Sequence, residues 1–555
     1  MIRIARLSSS ISEIAPAYDV VVVGSGYGGA IAAYRLARPG VKVCVLERGR
    51  EITPGGYPDT LLKALGEVQI DAPRRHLFSP TALFDFRLNR DINVLVGCGL
   101  GGTSLINANV VIPPARWIFD EPQWPHHFRR DLAPLRDGFA EAARIFAPTA
   151  YTDVFPALAK QSALAHAAAA LDARFERPHL NVALMPEKDD MAPEHRACTG
   201  CGDCVSGCNY GAKKTLLMNY LYLAHRRGAD IFTEAGVGSV ERVGDRWVVH
   251  FDLAGRPSAS PASPRLAVRA RTVILAAGTL GSTEILLRSR ERHGLAVSDQ
   301  LGQRFTSNGD VLAIAYDCAM PIDGVGAGAR RPDPHQPVGP CISGMIDLRR
   351  NGVDHENEMV IQEGSIPGAL SPVIPFIVGA AAAGWGRRTG RAKELAATLP
   401  VSRWSRFLAG AYHGAMRRTQ VFLVMTHDEA RGRMTLVDDR IRIDWPDFDE
   451  QPILKQVDER LRGASAALGG IYVPNPFRPI TVHPLGGCCM GNDAADGVVD
   501  HEGRVFHPGQ AEPHQGLYVC DGSIVPRSLG VNPLFTIAAL AERACALLQS
   551  RPEAA

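Results

Sequence analysis

Apolar runs of strand length alternate with helix-forming segments at both ends of the chain. Residues 19–23 (DVVVV) form a β-branched run of the length of a buried strand, and the alanine-rich residues 30–38 behind it have helical character. A further helix is predicted at residues 534–548, close to the C-terminus. The runs that we assign to one parallel sheet are residues 19–23, 42–46, 273–277 and 517–520.

The middle of the chain follows a different pattern. Residues 419–425 and 433–445 alternate between apolar and polar side chains, which predicts strands of a larger, mostly antiparallel sheet. Residues 237–251 indicate a hairpin between the parallel strands. We therefore predict an α/β chain that combines a parallel sheet with a larger, mostly antiparallel sheet.

Length and charge narrow the class of protein. A chain of 555 residues is too long for one compact domain and indicates two or three. Its 60 Lys and Arg nearly balance its 58 Asp and Glu, so the formal net charge is +2. Because no run of basic residues stands out, we expect no nucleic-acid partner. The composition, 46% hydrophobic and 21% charged, is that of a globular protein.

The N-terminus and one uncharged segment bear on location. The first eighteen residues lack the apolar core of a secretory signal, so we predict a cytoplasmic protein whose twelve cysteines are mostly thiols or metal ligands. Residues 366–385 carry no charge, but Pro367, Pro372 and Pro375 interrupt their first half. This favours a substrate-channel lining or a membrane-touching lid over a spanning helix, and it leaves a peripheral membrane contact open.

The first predicted strand leads directly into a glycine-rich turn. Gly24, Gly26 and Gly29 fit the pattern GxGxxG between a strand and a helix. The first glycine permits the tight turn, the second allows the backbone to approach a pyrophosphate, and the third lets the helix pack on the strand. Glu47 ends the next strand, where a carboxylate can accept hydrogen bonds from a ribose. This pattern predicts a dinucleotide site but does not distinguish FAD from NAD.

Two later segments add candidate chemistry. Residues 97–104 (GCGLGGTS) are a second glycine-rich loop whose backbone can approach a flat ligand, with Asn107 shortly after it. Near the C-terminus, His483 lies in the loop HPLGGCCMG, and Asn532 precedes the last predicted helix. Taken alone, each of these residues is more often structural than catalytic.

Five motifs in this order resemble the glucose–methanol–choline (GMC) flavin oxidoreductases, in their cholesterol-oxidase-like branch. They are the GxGxxG turn, GCGLGGTSLINANV, AAGTLGSTEILL, HPLGGCCMG and VCDGSIVPRSLGVNP, and the resemblance spans residues 19–548. It implies FAD as cofactor and the GMC fold: a Rossmann-like FAD-binding domain plus an α+β substrate domain. The residues that the resemblance places at the FAD are Gly24, Gly26, Gly29, Glu47, Gly102, Ser104, Asn107, Val237, Asp521, Gly522 and Asn532.

By the same resemblance, His483 and Asn532 face the substrate hydroxyl and the flavin. An imidazole that titrates near neutrality can take the hydroxyl proton, and an Asn amide offers a donor and an acceptor without charge. Glu363, in QEGSIPG, resembles a buried glutamate that moves a proton during isomerisation in cholesterol oxidases. A glutamate in an ordinary surface loop is the alternative, since a raised carboxyl pKa requires burial.

A cluster of four cysteines departs from the secreted cholesterol oxidases. Cys198, Cys201, Cys204 and Cys208 have the spacing C-x2-C-x2-C-x3-C of bacterial ferredoxins, although Asn209 stands where a ferredoxin has proline. Some GMC dehydrogenases carry an iron–sulfur cluster, so we predict a [4Fe–4S] cluster here. A zinc site, which usually spaces its cysteine pairs more widely, and unmetallated thiols remain alternatives. A cluster would give electrons an exit other than oxygen and would favour a dehydrogenase.

These observations combine into one functional hypothesis. We expect FAD-dependent oxidation of a hydroxyl group on a hydrophobic, for instance steroid-like, alcohol, with electrons passing to a protein, a quinone or oxygen. The rivals are a GMC dehydrogenase of sugars or small polar alcohols and a flavin/iron–sulfur redox protein without an alcohol substrate. We expect the FAD-binding domain at residues 16–57, 91–113, 229–312 and 477–548. The substrate domain, with the cysteines, is expected at residues 58–90, 114–228 and 313–476.

Overall fold

The computed structural model describes residues 5–189, 192–254, 266–349, 355–378 and 410–551. Across these ranges, no helix is both long enough and apolar enough to cross a membrane. The second part of the uncharged segment, residues 379–385, lies outside the described residues. In its first part, Gly368–Leu370 form a short 3-10 helix.

One large sheet is built mainly from the predicted parallel strands. Strands β2, β1, β16 and β25 pair in parallel, as predicted, and β13 extends this part of the sheet. The hairpin β14–β15 joins on the other side in antiparallel orientation. The members of this parallel sheet are β1 (Ala17–Val23), β2 (Val43–Leu46), β13 (Asp230–Phe232), β14 (Ala235–Val243), β15 (Arg246–Leu253), β16 (Leu266–Leu275) and β25 (Leu517–Val519).

Helices cover the parallel sheet because its central strands are apolar on both faces. Val21 and Val22 of β1 are completely buried, and they belong to two different hydrophobic clusters on opposite sides of the sheet. Helix α7 ends where Gly294 adopts a positive φ of 65°, the usual glycine C-cap. The described helices are α1 (Tyr27–Leu36), α2 (Leu61–Gly66), α3 (His126–Arg130), α4 (Ala133–Phe146), α5 (Ala159–Ala170), α6 (Tyr220–Arg226), α7 (Gly278–His293), α8 (Pro452–Ala467) and α9 (Leu534–Gln549).

A second large sheet is antiparallel throughout. Its strand order is β23-β17-β20-β19-β18-β9, and helices α5 and α8 cover one face with a core that includes Ile361, Phe422 and Leu461. The strands of this antiparallel sheet are β9 (Arg174–Glu176), β17 (Val311–Tyr316), β18 (Met345–Asp347), β19 (Met359–Gly364), β20 (Gln420–Thr426) and β23 (Ile471–Pro474).

The sequence placed residues 433–445 in that antiparallel sheet, and this was wrong. They form a separate hairpin of β21 (Arg433–Val437) and β22 (Arg440–Asp444), because their buried side chains pack on a small cluster around Trp445. The remaining strands are β3 (Val68–Ala72), β4 (Arg75–Leu77), β5 (Phe84–Arg87), β6 (Asn93–Gly97), β7 (Val110–Val111), β8 (Thr149–Ala150), β10 (His179–Leu180), β11 (Glu187–Asp189), β12 (Ala192–His195) and β24 (Ile480–Thr481).

Five of these strands form a third sheet. Their order is β24-β6-β5-β3-β4, so this sheet combines strands from both of the expected domain ranges. Strand β24 lies two residues before His483, and β6 leads into the second glycine-rich loop. This sheet therefore brings the two functional loops near one another.

Candidate active site

A cavity of about 1150 Å³ lies among the three sheets. Most of the predicted cofactor and catalytic residues line it. The lining residues from that prediction are Gly24, Gly26, Glu47, Gly102, Asn107, Val237, His483, Asp521, Gly522 and Asn532. Gly29, Ser104 and Glu363 do not line it. The cavity is large for a single drug-sized ligand, so it has room for a cofactor and a substrate.

The first glycine-rich turn has the shape that a pyrophosphate needs. A Cβ on Gly24, whose φ is +91°, would lie 2.4 Å from the Ala276 oxygen, and one on Gly29 would lie 2.1 Å from the Gly24 oxygen. A Cβ on Gly26 would meet nothing within 4 Å. Two glycines thus permit the turn and the helix packing, while the third borders open space at the start of α1, where helix N–H groups favour an anion.

The structure shows that a glycine is also required at position 28, where the GxGxxG pattern allows any residue. A Cβ there would lie 1.4 Å from the backbone oxygen of Cys520, at the end of β25. This contact joins the first turn to the C-terminal motif. The pair of adjacent glycines at 28 and 29 was the available sequence signal.

The carboxylate of Glu47 fixes the turn from the neighbouring strand. Its Oε2 accepts hydrogen bonds from the Ser25 amide (3.0 Å) and hydroxyl (2.6 Å), and its Oε1 accepts one from the Gly49 amide (2.7 Å). Glu47 lies in the cavity wall where the sequence placed a ribose contact. It therefore also has a structural role that the motif alone did not reveal.

The second glycine-rich loop touches the first. A Cβ on Gly102 would lie 3.0 Å from the Gly26 Cα, and the Asn107 amide donates to the Tyr27 hydroxyl over 2.7 Å. Ser104 is turned inward, since its hydroxyl donates to the Gly101 oxygen and accepts from the Leu216 amide. Ser104 thus shapes this loop from behind.

Asp521 holds the C-terminal motif in place. Its Oδ2 accepts hydrogen bonds from the Gly278 amide (2.9 Å) and the Ser282 hydroxyl (2.5 Å), while its Oδ1 accepts from Ser523. Burial raises the pKa of this carboxyl, and the hydrogen bonds oppose the rise. The motifs AAGTLGSTEILL and VCDGSIVP therefore meet at one side chain.

His483 is paired with a buried aspartate that the sequence analysis missed. Its Nδ1 lies 2.9 Å from Asp310 Oδ1, and the Asp310 side chain is fully buried. The other oxygen of Asp310 accepts hydrogen bonds from Val482 N, His483 N and the Thr481 hydroxyl. Because a carboxylate next to Nδ1 makes that nitrogen the donor, Nε2 is left as an acceptor. Asp310 is 173 residues away in sequence and belongs to no motif.

Asn532 is held through its side chain, and the loop that precedes it is held separately. Its Oδ1 accepts a hydrogen bond from Gln362 Nε2 over 2.7 Å. The preceding loop is held by the Asn308 side chain, which donates to Val531 O and accepts from the amides of Leu529 and Gly530. Asn308 had no recognisable signal in the sequence, and Gln362 stands directly before Glu363 in QEGSIPG, where only Glu363 was assigned a role.

The structure does not bring Glu363 to His483 and Asn532. Glu363 lies on the face of β19 that is covered by α5, where Lys160 Nζ donates to it over 2.8 Å. Ser343, through its amide and its hydroxyl, and the Gly344 amide also donate to this carboxylate. Successive side chains of a strand point to opposite faces, so it is Gln362 that faces Asn532. Glu363 is buried, as predicted, but in an ion pair.

The four cysteines line a second, small cavity together with Lys213. Burial raises the pKa of Cys198 to about 11 and that of Cys201 well above the usual thiol range. Lys213, whose pKa burial lowers to about 8, donates to the backbone oxygens of Leu105, Asn107 and Cys204. Lys213 thus connects this cavity to the second glycine-rich loop.

No three of the sulfurs of these cysteines lie within 4.8 Å of one another. Of the residues that the structure describes, only Glu241, His250 and His293 form a group of three or more His, Cys, Asp or Glu with ligand atoms within 4.8 Å of one another. Four thiolates on one zinc ion would lie about 3.8 Å apart, given a Zn–S distance of about 2.3 Å. The arrangement is therefore not a zinc site, and no cluster arrangement is shown.

Comparison with known proteins identifies relatives over the whole chain. Two family models, both described as GMC oxidoreductase, match residues 18–307 and 472–541. A cholesterol oxidase from Acinetobacter baumannii is 26% identical, with 96% of this chain and 95% of that protein covered. One from Mycobacterium tuberculosis is 28% identical, with 97% and 92% covered. A long-chain-alcohol oxidase from Arabidopsis thaliana is 22% identical, with 94% and 65% covered.

Solved structures share the fold. A pyridoxine 4-oxidase from Mesorbium loti superimposes with a TM-score of 0.58 at 18% identity, covering 96% of this chain and 99% of that one. A fungal aryl-alcohol oxidase gives 0.59 at 16% identity, with the same coverage. These likenesses agree with the predicted combination of a Rossmann-like FAD-binding domain and an α+β substrate domain.

Proposed function

The chain belongs to the GMC oxidoreductase family of flavin-dependent enzymes that act on alcohols, and on this premise we propose that it oxidises a hydroxyl group of a hydrophobic, steroid-like alcohol. The observation that carries the proposal is His483 in the wall of the large cavity, with its Nδ1 paired to the buried Asp310 behind it. Because Asp310 accepts from Nδ1, Nε2 is the acceptor nitrogen of the neutral ring, and removal of a hydroxyl proton requires such an acceptor.

FAD fits the residues that surround the cavity. Gly24, Gly26 and Gly28 lie at the N-terminus of α1, with free space at Gly26 and Glu47 beside them, which suits the adenosine diphosphate part. When it is bound, FAD supplies the hydride acceptor for the alcohol carbon. The residues of this chain bind it, orient the alcohol and take up the proton.

His483 and Asn532 contact different atoms of the substrate hydroxyl group. His483 Nε2 accepts the hydroxyl hydrogen, while Asp310 stabilises the imidazolium that forms. The amide of Asn532 donates to the hydroxyl oxygen and so keeps it in place without adding charge. A substrate hydroxyl held from both sides has one orientation relative to the cofactor.

The substrate side of the cavity is apolar, which supports a hydrophobic alcohol over a sugar. It is lined from the antiparallel sheet and the neighbouring loops by Leu312, Ile342, Pro367, Leu370, Val421 and Leu423. Leu65, in α2, lines the cavity and is also 57% exposed. The helix thus offers an apolar entrance for a lipid-like substrate. The same exposed apolar side chain suits a peripheral contact with a membrane.

Anaerobic flavin reduction tests the substrate class. The holoenzyme is mixed with a sterol, a long-chain primary alcohol or a sugar, and the oxidised-flavin absorbance is followed. We expect bleaching by the hydrophobic alcohols at concentrations at which the sugar has no effect. Bleaching by the sugar alone would replace this proposal with a polar-alcohol dehydrogenase, and bleaching by none of them would favour a redox protein.

The electron acceptor depends on the four cysteines, for which we propose an iron–sulfur cluster. The support is their ferredoxin-like spacing, their shared cavity and Lys213, whose ammonium has no carboxylate partner among the described residues and would be balanced by an anionic cluster. The test is iron and acid-labile sulfide per chain in anaerobically purified protein.

We expect about four irons, lost in Cys201→Ser and retained in Cys318→Ala, which removes a buried cysteine elsewhere. Iron-free protein that releases peroxide during turnover would contradict the cluster. Oxygen would then be the acceptor, and the enzyme would be an oxidase like the relatives whose names say so.

A further inference from the structure

The side chain of Gln362 is buried directly behind Asn532. It is completely shielded from solvent, and its Nε2 donates to Asn532 Oδ1 over 2.7 Å. Its own Oε1 is buried without a hydrogen-bond partner among the described residues. Its neighbours across the antiparallel sheet, Met345 and Leu423, are apolar. Gln362 itself does not line the cavity, whereas Asn532 does.

This hydrogen bond determines which end of the Asn532 amide faces the cavity. The oxygen and the NH2 group of an amide are nearly equal in size, so shape alone does not choose between the two orientations. A donor behind Oδ1 does choose, because it holds the oxygen toward the sheet and turns Nδ2 the other way. The substrate hydroxyl then meets an N–H donor from Asn532 and the acceptor nitrogen of His483, whose Nδ1 is occupied by Asp310.

We propose that Gln362 is a positioning residue for alcohol oxidation, which acts by fixing the amide of Asn532 with its NH2 group toward the substrate oxygen. The inference rests on the proposed function and extends it to a residue outside the cavity. It also accounts for the unpartnered Oε1: a buried acceptor without a donor costs stability, and it is tolerated here because the donor of the same amide is needed.

The proposal explains why an amide and not a carboxylate occupies this position. An ionised carboxylate has only acceptors, so it would attract Nδ2 and turn the oxygen of Asn532 toward the substrate. The carboxylate of the neighbouring Glu363 lies on the other face of β19, paired with Lys160. No cation faces Gln362 from the neighbouring positions of β18 and β20, which are Met345 and Leu423. Burial would therefore raise the pKa of a glutamate introduced there.

Two variants of Gln362 separate positioning from mere packing. Gln362→Leu keeps the approximate volume but has no donor, and we expect flavin reduction by alcohol to slow about 3- to 10-fold at every pH. Gln362→Glu is expected to resemble the wild type at low pH, where its protonated carboxyl still donates. Relative to the wild type it should lose about 10- to 100-fold as the pH rises and the carboxyl ionises.

The matched control is Gln420→Glu. Gln420 lies on the adjacent strand β20, is equally buried and also has an unpartnered Oε1, but its amide donates to Val421 O. This variant carries the same cost of a buried carboxyl, and we expect its pH profile to follow that of the wild type. The FAD content of each variant reports whether its fold is intact.

A double-mutant cycle with Asn532→Ala completes the test. If Gln362 acts through Asn532, Gln362→Leu will have no further effect on flavin reduction in the Asn532→Ala background. Wild-type rates in both Gln362 variants, or additive losses in the cycle, would overturn the inference while leaving alcohol oxidation intact. Should Gln362→Glu not fold, Gln362→Leu and the cycle still decide. A wild-type enzyme whose flavin no alcohol reduces would overturn the proposed function and this inference together.

Discussion

The two cavities of the protein are organised in opposite ways. At the His483–Asn532 end of the large cavity, the functional side chains are each held by a buried partner from a distant segment, Asp310 and Gln362. In the small cavity, all four sulfurs come from residues 198–208, and no three of them lie within 4.8 Å of one another. Short spacing thus brings side chains to one place, but partners from elsewhere in the fold are what give them a defined geometry.

The comparison predicts that the largest loss of rate follows removal of His483. His483→Ala should slow anaerobic flavin reduction by about 10²- to 10⁴-fold, the usual contribution of general base catalysis. FAD content should remain unchanged, because Nε2 acts on the substrate. His166→Ala, at an exposed position, is the control. A rate within the error of the wild type would show that His483 is a structural histidine.

A smaller loss is expected at the partner of that histidine. Asp310→Asn replaces one acceptor oxygen by an NH2 group, so the imidazole is no longer held in the tautomer with a free Nε2. We expect about a 10- to 100-fold fall in the rate of flavin reduction, by analogy with the partners that orient metal-bound imidazoles. Asp317→Asn, at a buried aspartate just after β17, should leave the rate unchanged. Equal losses in the two variants would indicate a general effect on folding.

Substitutions at two nearby glycines, Gly26 and Gly28, test cofactor binding and folding separately. Gly26→Ala places a methyl group in the open space at the turn, and we expect FAD affinity to fall about 5- to 100-fold, the effect of an overpacked contact, with the melting temperature of the apoprotein unchanged. Gly28→Ala places a Cβ 1.4 Å from the Cys520 oxygen and should prevent folding. FAD titration and thermal denaturation measure the two effects. Full FAD affinity in Gly26→Ala would argue against a pyrophosphate at this turn.

Replacing Glu363 should leave the rate of flavin reduction unchanged but make the protein less stable. Glu363→Gln leaves Lys160 buried without its charged partner, which costs about 3–5 kcal/mol in the free energy of unfolding. Denaturant unfolding measures this cost, and flavin reduction measures the rate. Replacing both residues, as Lys160→Met with Glu363→Leu, should recover most of the stability. A rate loss that persists in the double variant would return Glu363 to the catalytic residues.

The sequence was sufficient to predict the features that depend on residues close together in the chain. The strand–turn–helix unit around Gly24 and Gly26 predicted the parallel sheet, and the resemblance carried by the five motifs predicted FAD as the cofactor. The sequence could not supply the roles of Asp310 and Gln362, because each acts through one long-range contact. Asp310 belongs to no quoted motif, and Gln362 stands in QEGSIPG, where only Glu363 was assigned a role. Glu363 shows the same limit: the sequence left a buried position and a surface loop open, and the face of β19 to which it points depends on strand register.

Anaerobic mixing of the wild type and His483→Ala with one hydrophobic alcohol tests directly whether the enzyme oxidises alcohols and whether His483 takes the hydroxyl proton. The account predicts that the alcohol bleaches the wild-type flavin within the turnover time. It also predicts that the variant, with the same FAD content, bleaches at least about 10²-fold more slowly. Equal rates in the two proteins, or a wild-type flavin that no alcohol reduces, would contradict it.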